Sequence, residues 1–462
     1  MSFLSSPLFR LGFVSLMLWV FGYPPEVSAQ NQNATSNFSL QQCLDYALNN
    51  NATLQNAKLD QEIAKEKVKE IFGSGLPQIN FAGNLNYFIE FPTSVIPASA
   101  FIPSAPAGEY LAFQFGLPMN STAGFNASQL LFNGEFLVGM QASKAYAELM
   151  GRTLKRTETE ILLQVTKAYY LALTNEERIK TFNYNIERLE KLFSDTKAMH
   201  QQGFVEQLDL DRLTVSLNTL KIEKQKMEAY TTVGYQLLKF QMGMPISQTL
   251  ILTDTDLEKN LKLESELDAP VGNRIELKLM DSQRRLNELE LRRIRASYLP
   301  SLVAIAAADY QAYRADFGNI FFKPVTNRWY PQVLVGLQLN VPIFKGMSTH
   351  AKATQAQLNL KKTENDRTQV IRGIEVEVAN ARTQYANSLK NLSSQKENLK
   401  LAKEVARVTQ LKYEQGVGSN LEVVTAESEY RSAQTQYVNT LFETLSAQVD
   451  LKKANGSLIP QP

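Results

Sequence analysis

The chain has 462 residues, 44% of them hydrophobic and 20% charged, and 48 Lys and Arg against 46 Asp and Glu leave a formal charge of +2. Balanced, dispersed charge excludes a basic nucleic-acid footprint. One cysteine (Cys43) excludes an internal disulfide and a thiolate metal site, and two histidines (His200 and His350) argue against a histidine-based metalloenzyme. A mean hydropathy of -0.23 argues against a bundle of membrane-spanning helices, yet it leaves room for a membrane β-barrel, whose strands hide their apolarity by alternation.

The first segment, residues 1–29, reads as a secretory signal peptide. Arg10 precedes the apolar run Leu11–Phe21, Pro24-Pro25 follows it, and Val27-Ser28-Ala29 offers a small-residue cleavage point. The apolar core is too short for a permanent span. The stretch Asn31–Asn37 is polar and is expected to be disordered. A helix is predicted over Leu40–Phe72, with Cys43 as a small buried hydrophobe.

Two strands follow, within about 78–132. Ile79, Phe81, Leu85, Tyr87 and Ile89 fall on one face, and Asn80, Ala82, Asn84 and Asn86 on the other. Ala123, Phe125 and Ala127 face away from Thr122, Gly124, Asn126 and Ser128. Between them the Pro-rich stretch Phe91–Pro118 reads as an ordered extracellular loop.

A long helical hairpin is predicted over about 135–243. No Gly or Pro interrupts Arg152–Gln202. Ile161, Val165, Ala168, Ala172, Asn175, Ile179, Phe182, Ile186, Leu189 and Phe193 alternate spacings of four and three, a heptad seam with one polar member. A Gly-containing turn at Gly203 joins it to a returning helix with the same periodicity.

The order then repeats. Ser74-Gly75-Leu76-Pro77 recurs as Ser297-Tyr298-Leu299-Pro300, Phe132-Asn133-Gly134 as Phe344-Lys345-Gly346, and Gln201-Gln202-Gly203 as Glu414-Gln415-Gly416. The offsets are 223, 212 and 213 residues, and matching in order at nearly constant spacing points to duplication. The first structural repeat is set at 30–270. The second, at 271–462, holds a helix, a strand pair at about 300–344 and a long hairpin at about 347–455. Val333, Val335, Leu337, Leu339, Val341 and Ile343 carry its clearest alternation, while Leu302–Tyr313 alternates poorly.

Strands of this length with one apolar face suit a membrane barrel or a half-buried soluble sheet. Four strands cannot close a barrel, and an open edge in lipid strands backbone groups at several kcal/mol each. If these strands face lipid, the chain must therefore oligomerise, and a transport lumen favours three copies and twelve strands. Aromatics near the strand ends, Tyr87, Tyr310, Tyr313, Trp329 and Tyr330 among them, fit either an interfacial belt or loop packing.

A secreted chain with two copies of helix, strand pair and long helical hairpin resembles the TolC family of outer-membrane efflux proteins. The local motifs are Leu40-Gln41-Gln42-Cys43-Leu44-Asp45-Tyr46-Ala47 with Asn49-Asn50-Asn51, the strand-opening Leu76-Pro77 and Leu299-Pro300, the two Phe-x-Gly junctions, and Tyr413-Glu414-Gln415-Gly416 with Leu421-Glu422-Val423. The resemblance implies a mainly α fold with β: a homotrimer whose twelve strands form an outer-membrane β-barrel, continuous with a periplasmic α-helical barrel. It implies a channel or exit duct for efflux or type I secretion, with most of its mass in the periplasm. Its partners would be outer-membrane lipid, a periplasmic adaptor (membrane fusion) protein and an inner-membrane transporter, with no nucleic acid. No cofactor, metal or catalysis is implied. The competing reading is a periplasmic coiled-coil adaptor or structural protein.

By motif position the resemblance carries the periplasmic gate to the hairpin tips. Asp209 and Glu422 would supply carboxylate rings, which select cations, or would complement the dipoles of the returning helices. Tyr413 would hydrogen-bond across hairpins, and Gly203, Gly416 and Gly418 would form the turns and the adaptor-contact surface. The sequence departs from the pattern at Gly418, where some members carry a restraining arginine, and at Thr425, where they carry a further acid.

Overall fold

The computed structural model describes residues 36–90, 93–114, 116–254, 257–261, 274–315 and 329–458; the expected signal peptide lies outside them. In chain order come β1 (Ser36–Phe38), α1 (Leu40–Asn50), α2 (Ala52–Gly73), β2 (Gln78–Tyr87), β3 (Thr93–Pro97), β4 (Tyr110–Gln114), β5 (Met119–Asn133), α3 (Gly134–Gln201), α4 (Gln207–Met242) and β6 (Leu250–Leu252). They are followed by α5 (Ile275–Ala296), β7 (Ser301–Arg314), β8 (Tyr330–Asn340), α6 (Ser348–Glu414) and α7 (Asn420–Asn455). The 68 residues of α3 and 67 of α6 each extend about 100 Å. The sheet therefore sits at one end of the molecule and the two hairpin turns at the other. No helix among the described residues is long and apolar enough to cross a membrane.

Strands β2, β5, β7 and β8 form one antiparallel sheet in that order. Residues directly opposite one another share a face, so the register assigns the faces that alternation left open for β7. Ile79 lies beside Ala127, Ala306 and Val335, and Phe81 beside Phe125, Ala308 and Val333. This apolar face is open: Ile79, Phe81, Val333 and Val335 are 65–79% exposed in a single chain. Phe81 and Phe125 meet edge to face at 5.2 Å. The opposite face carries Asn80, Asn84, Asn86, Thr122, Asn126 and Gln311. The outer edges of β2 and β8 have no strand partner among the described residues.

Four details differ from the sequence expectation. The first helix is broken at Asn51, whose extended backbone ends α1 while its side chain accepts the Leu54 N–H and caps α2. Ser36–Phe38 is not disordered but pairs in parallel with Leu250–Leu252. The Pro-rich loop contains its own hairpin, β3 with β4. Strand β8 ends at Asn340, so Val341 and Ile343 lie beyond the ladder.

Two junctions are alike in place and differ in chemistry. In the first, the Asn51 amide donates to the Gln241 carbonyl at 2.7 Å, satisfying the C-terminus of α4. In the second, Arg274, 223 residues later, donates to the Ala454 carbonyl at 2.7 Å at the end of α7. Arg274 is 3% exposed and also pairs with Glu276 and Glu377. Burial alone would raise the Glu276 carboxyl, but the Arg274 guanidinium beside it holds it below the usual carboxylate range.

The largest apolar core lies mid-length, where α1, α3, α4, β6 and α7 converge on Cys43, Val165, Tyr169, Leu238, Met242 and Leu445. Tyr169 donates to Asp254 at 2.7 Å. Burial first, and then Asp254, push the Cys43 thiol up to about 12. Cys43 is thus an inert packing group at neutral pH.

Candidate functional site

The two hairpin turns are near copies. After α3, the Phe204 N–H bonds the Met199 carbonyl at 3.0 Å and the Gly203 N–H bonds that of His200 at 2.9 Å. After α6, Val417 bonds Lys412 and Gly416 bonds Tyr413, both at 3.0 Å. These are Schellman closures, which require a left-handed residue just past the helix. Gly203 (φ 80°) and Gly416 (φ 74°) supply it. Gly418 works differently: a Cβ there would come within 3.2 Å of the Tyr413 backbone nitrogen, so it permits close approach of the chain. The apolar residues after the two left-handed glycines, Phe204 and Val417, are both 77% exposed.

Asp209 and Glu422 occupy the first turns of the returning helices α4 and α7. Asp209 is half-buried and lies 3.5 Å from Arg212 on the same helix. Glu422 is exposed, and its backbone N–H is capped by the Ser419 hydroxyl at 3.2 Å. Both positions suit the positive end of a helix dipole.

Tyr413 is buried among Leu189, Leu192, Leu213, Leu220 and Val423, residues of both hairpins. Its hydroxyl lies 3.4 Å from Thr196 Oγ1 on α3. The second hairpin is thereby tied to the first within one chain.

Beside this α3–α6 tie, a polar ladder that sequence reading missed runs along the α3–α7 seam. Lys167 pairs with Asp450 at 2.6 Å. Arg178 bonds Asn439, and Asn185 donates to Gln434 at 2.7 Å. Nearest the tip, Arg188 pairs with Glu427 and lies 5.0 Å over the Tyr430 ring. Glu427 is 8% exposed, so this is a largely dehydrated ion pair between hairpins. It lies two residues beyond Thr425, where the family pattern's acid is absent. A cavity of about 660 Å³, lined in part by Arg178, Glu223, Arg431 and Asn439, flanks the seam. Among the described residues no group of three or more His, Cys, Asp or Glu is placed to hold a metal. His200 instead bonds the Val205 carbonyl within its own turn, at 2.9 Å.

Residues 273–457 match the family model described as outer membrane efflux protein. The chain is 20% identical over 308 residues to the proteases secretion protein PrtF of Dickeya chrysanthemi, covering 65% of each chain, just under two thirds of that relative's length. It is 19% identical over 343 residues to the outer membrane protein TolC of Vibrio cholerae, covering 74% of this chain and 77% of the other. A crystal structure of CusC superposes with a TM-score of 0.71 at 15% identity, covering 92% of this chain and 95% of that one. The fold is thus that of the outer-membrane channels.

Proposed function

We propose that this chain, a TolC-family outer-membrane factor, works as the exit duct of an efflux or type I secretion system. One observation carries the reading: a four-stranded sheet with one bare apolar face and two edges unpaired among the described residues, set at the end of hairpins about 100 Å long. In lipid such edges must be paired. Three copies joining β8 of one to β2 of the next pair them all and give twelve strands. The apolar face then meets lipid, the amide-rich face lines a lumen, and the helices continue the lumen through the periplasm. An inner-membrane transporter and a periplasmic adaptor would deliver solutes to the helical tips, where exposed Phe204 and Val417 present apolar contacts. Solutes cross without chemistry, and the chain is not an enzyme.

Fractionation tests this directly. The protein is expected to sediment with outer membranes and to require detergent for release. Recovery in the soluble periplasmic fraction would instead support the coiled-coil adaptor reading.

The tips are read as the gate. Three Asp209 and three Glu422 carboxylates would line the constriction, with Tyr413 holding the hairpins and Gly203, Gly416 and Gly418 shaping the turns. Asp209→Ala with Glu422→Ala is expected to reduce cation preference severalfold in planar bilayers, because charge rings set selectivity at a narrow point. Unchanged reversal potentials would remove both residues from the gate.

A further inference from the structure

The amide-rich face of the sheet holds a single carboxylate. Of the residues in β2, β5, β7 and β8, only Asp309 and Arg314 are charged at neutral pH, and five positions apart on one strand they point to opposite faces. Asp309 stands between Gly124 on β5 and Gln332 on β8. A Cβ on Gly124 would come within 2.2 Å of Asp309 Oδ1, so the glycine leaves the carboxylate the room its own side chain would fill. On the other side, the Gln332 carbonyl oxygen is occupied by the Gln311 amide at 2.5 Å, and Gln311 in turn accepts from the Tyr313 hydroxyl at 3.0 Å. No cation among the described residues pairs with Asp309. A carboxylate left half-open, unneutralised and flanked by a missing side chain remains available to mobile cations.

We propose that Asp309 is a second charge-selecting level of the duct, at its membrane end, favouring cationic over anionic solutes. This rests on the reading of the chain as a trimeric exit duct, in which the amide-rich face lines the lumen and three Asp309 carboxylates share one height. The tips are too distant to contribute there: α3 alone spans about 100 Å, and the Debye length at 0.1 M salt is about 10 Å. Three unit charges about 10 Å from the axis, in water and screened over that length, raise the axial cation density roughly twofold.

The test uses purified full-length trimers in planar bilayers under a salt gradient, all carrying Asp209→Asn and Glu422→Gln so that the two proposed tip rings are neutral. Asp309→Asn is expected to lower the potassium-to-chloride permeability ratio roughly fourfold, because the potential that doubles the cations halves the anions, and Asp309→Glu to preserve it. An unchanged ratio in Asp309→Asn overturns the proposal and leaves the duct reading standing. A parental protein that forms no channels overturns the duct reading, and the proposal with it.

Discussion

Gly243→Ala is expected to destabilise the folded chain by about 3 kcal/mol, far more than alanine at the tip glycines. Two effects add. Gly243 closes α4 in the left-handed region (φ 73°), which costs a side-chain-bearing residue about 1–2 kcal/mol. Its Cβ would also lie 2.4 Å from the Asn50 carbonyl oxygen and 2.9 Å from Asn51 Cα. Those are backbone atoms of the α1–α2 break and cannot swing aside, so the added methyl overpacks the junction at about 1–3 kcal/mol. The same break carries the Asn51 cap and the Asn51–Gln241 hydrogen bond, and Met242 and Met244 beside it are buried in the mid-length core. Gly203→Ala is the control. It has nearly the same φ (80°) but nothing within 4 Å of its Cβ, so only the conformational cost applies. Thermal unfolding of the detergent-solubilised protein separates the two. Equal losses at Gly243 and Gly203 would refute the packing argument.

Glu427→Ala is expected to favour separation of the two hairpins by up to about 100-fold. The Glu427 side chain is 11% exposed and that of Arg188 is 22% exposed. Deleting one partner of so dehydrated a pair leaves the other charge unpaired, at about 3 kcal/mol. At 1.4 kcal/mol per factor of ten, that is about 100-fold on an equilibrium that exposes the seam. Arg188 keeps its place over Tyr430, so the helix should stay folded while the seam loosens. Single-channel recording should therefore show much longer open dwell times. Reversing the pair, Arg188→Glu with Glu427→Arg, should restore closure. Open dwell times that match the parent in Glu427→Ala, or a reversed pair that behaves like the single variant, would assign Glu427 to structure alone.

These two sites differ in how far the sequence announced them. Gly243 stands where an apolar-periodic helix ends, so a left-handed cap was foreseeable there. Its contact with Asn50 was not, because nearly two hundred residues separate them and the break at Asn51 is invisible in a periodicity that runs through it. The Arg188–Glu427 pair was hidden more thoroughly. On either helix a charged residue reads as solvated. Only the pairing of α3 with α7 aligns Lys167 with Asp450, Arg178 with Asn439 and Arg188 with Glu427. The Tyr413 hydroxyl lies 3.4 Å from Thr196 Oγ1 on the other hairpin, a contact that needs the packing of α6 on α3. Asp309 was passed over because its strand alternates poorly, and register with β5 was needed to assign its face.

Periodicity and recurring motifs along the chain marked the long helical hairpins, the strand faces with clean alternation and the glycines of the two turns. Period, capping and left-handed turns are decided by residues a few positions apart, so they can be read along the chain. Tertiary structure decided which helix lies against which, the face of β7, the partnered state of each buried charge, and the replacement of Asn51 by Arg274 at the repeated junction. Those depend on contacts between residues far apart in the chain. Burial there turns an ordinary arginine, glutamate or glycine into a constraint on the fold, and single-residue patterns carry no record of such distance.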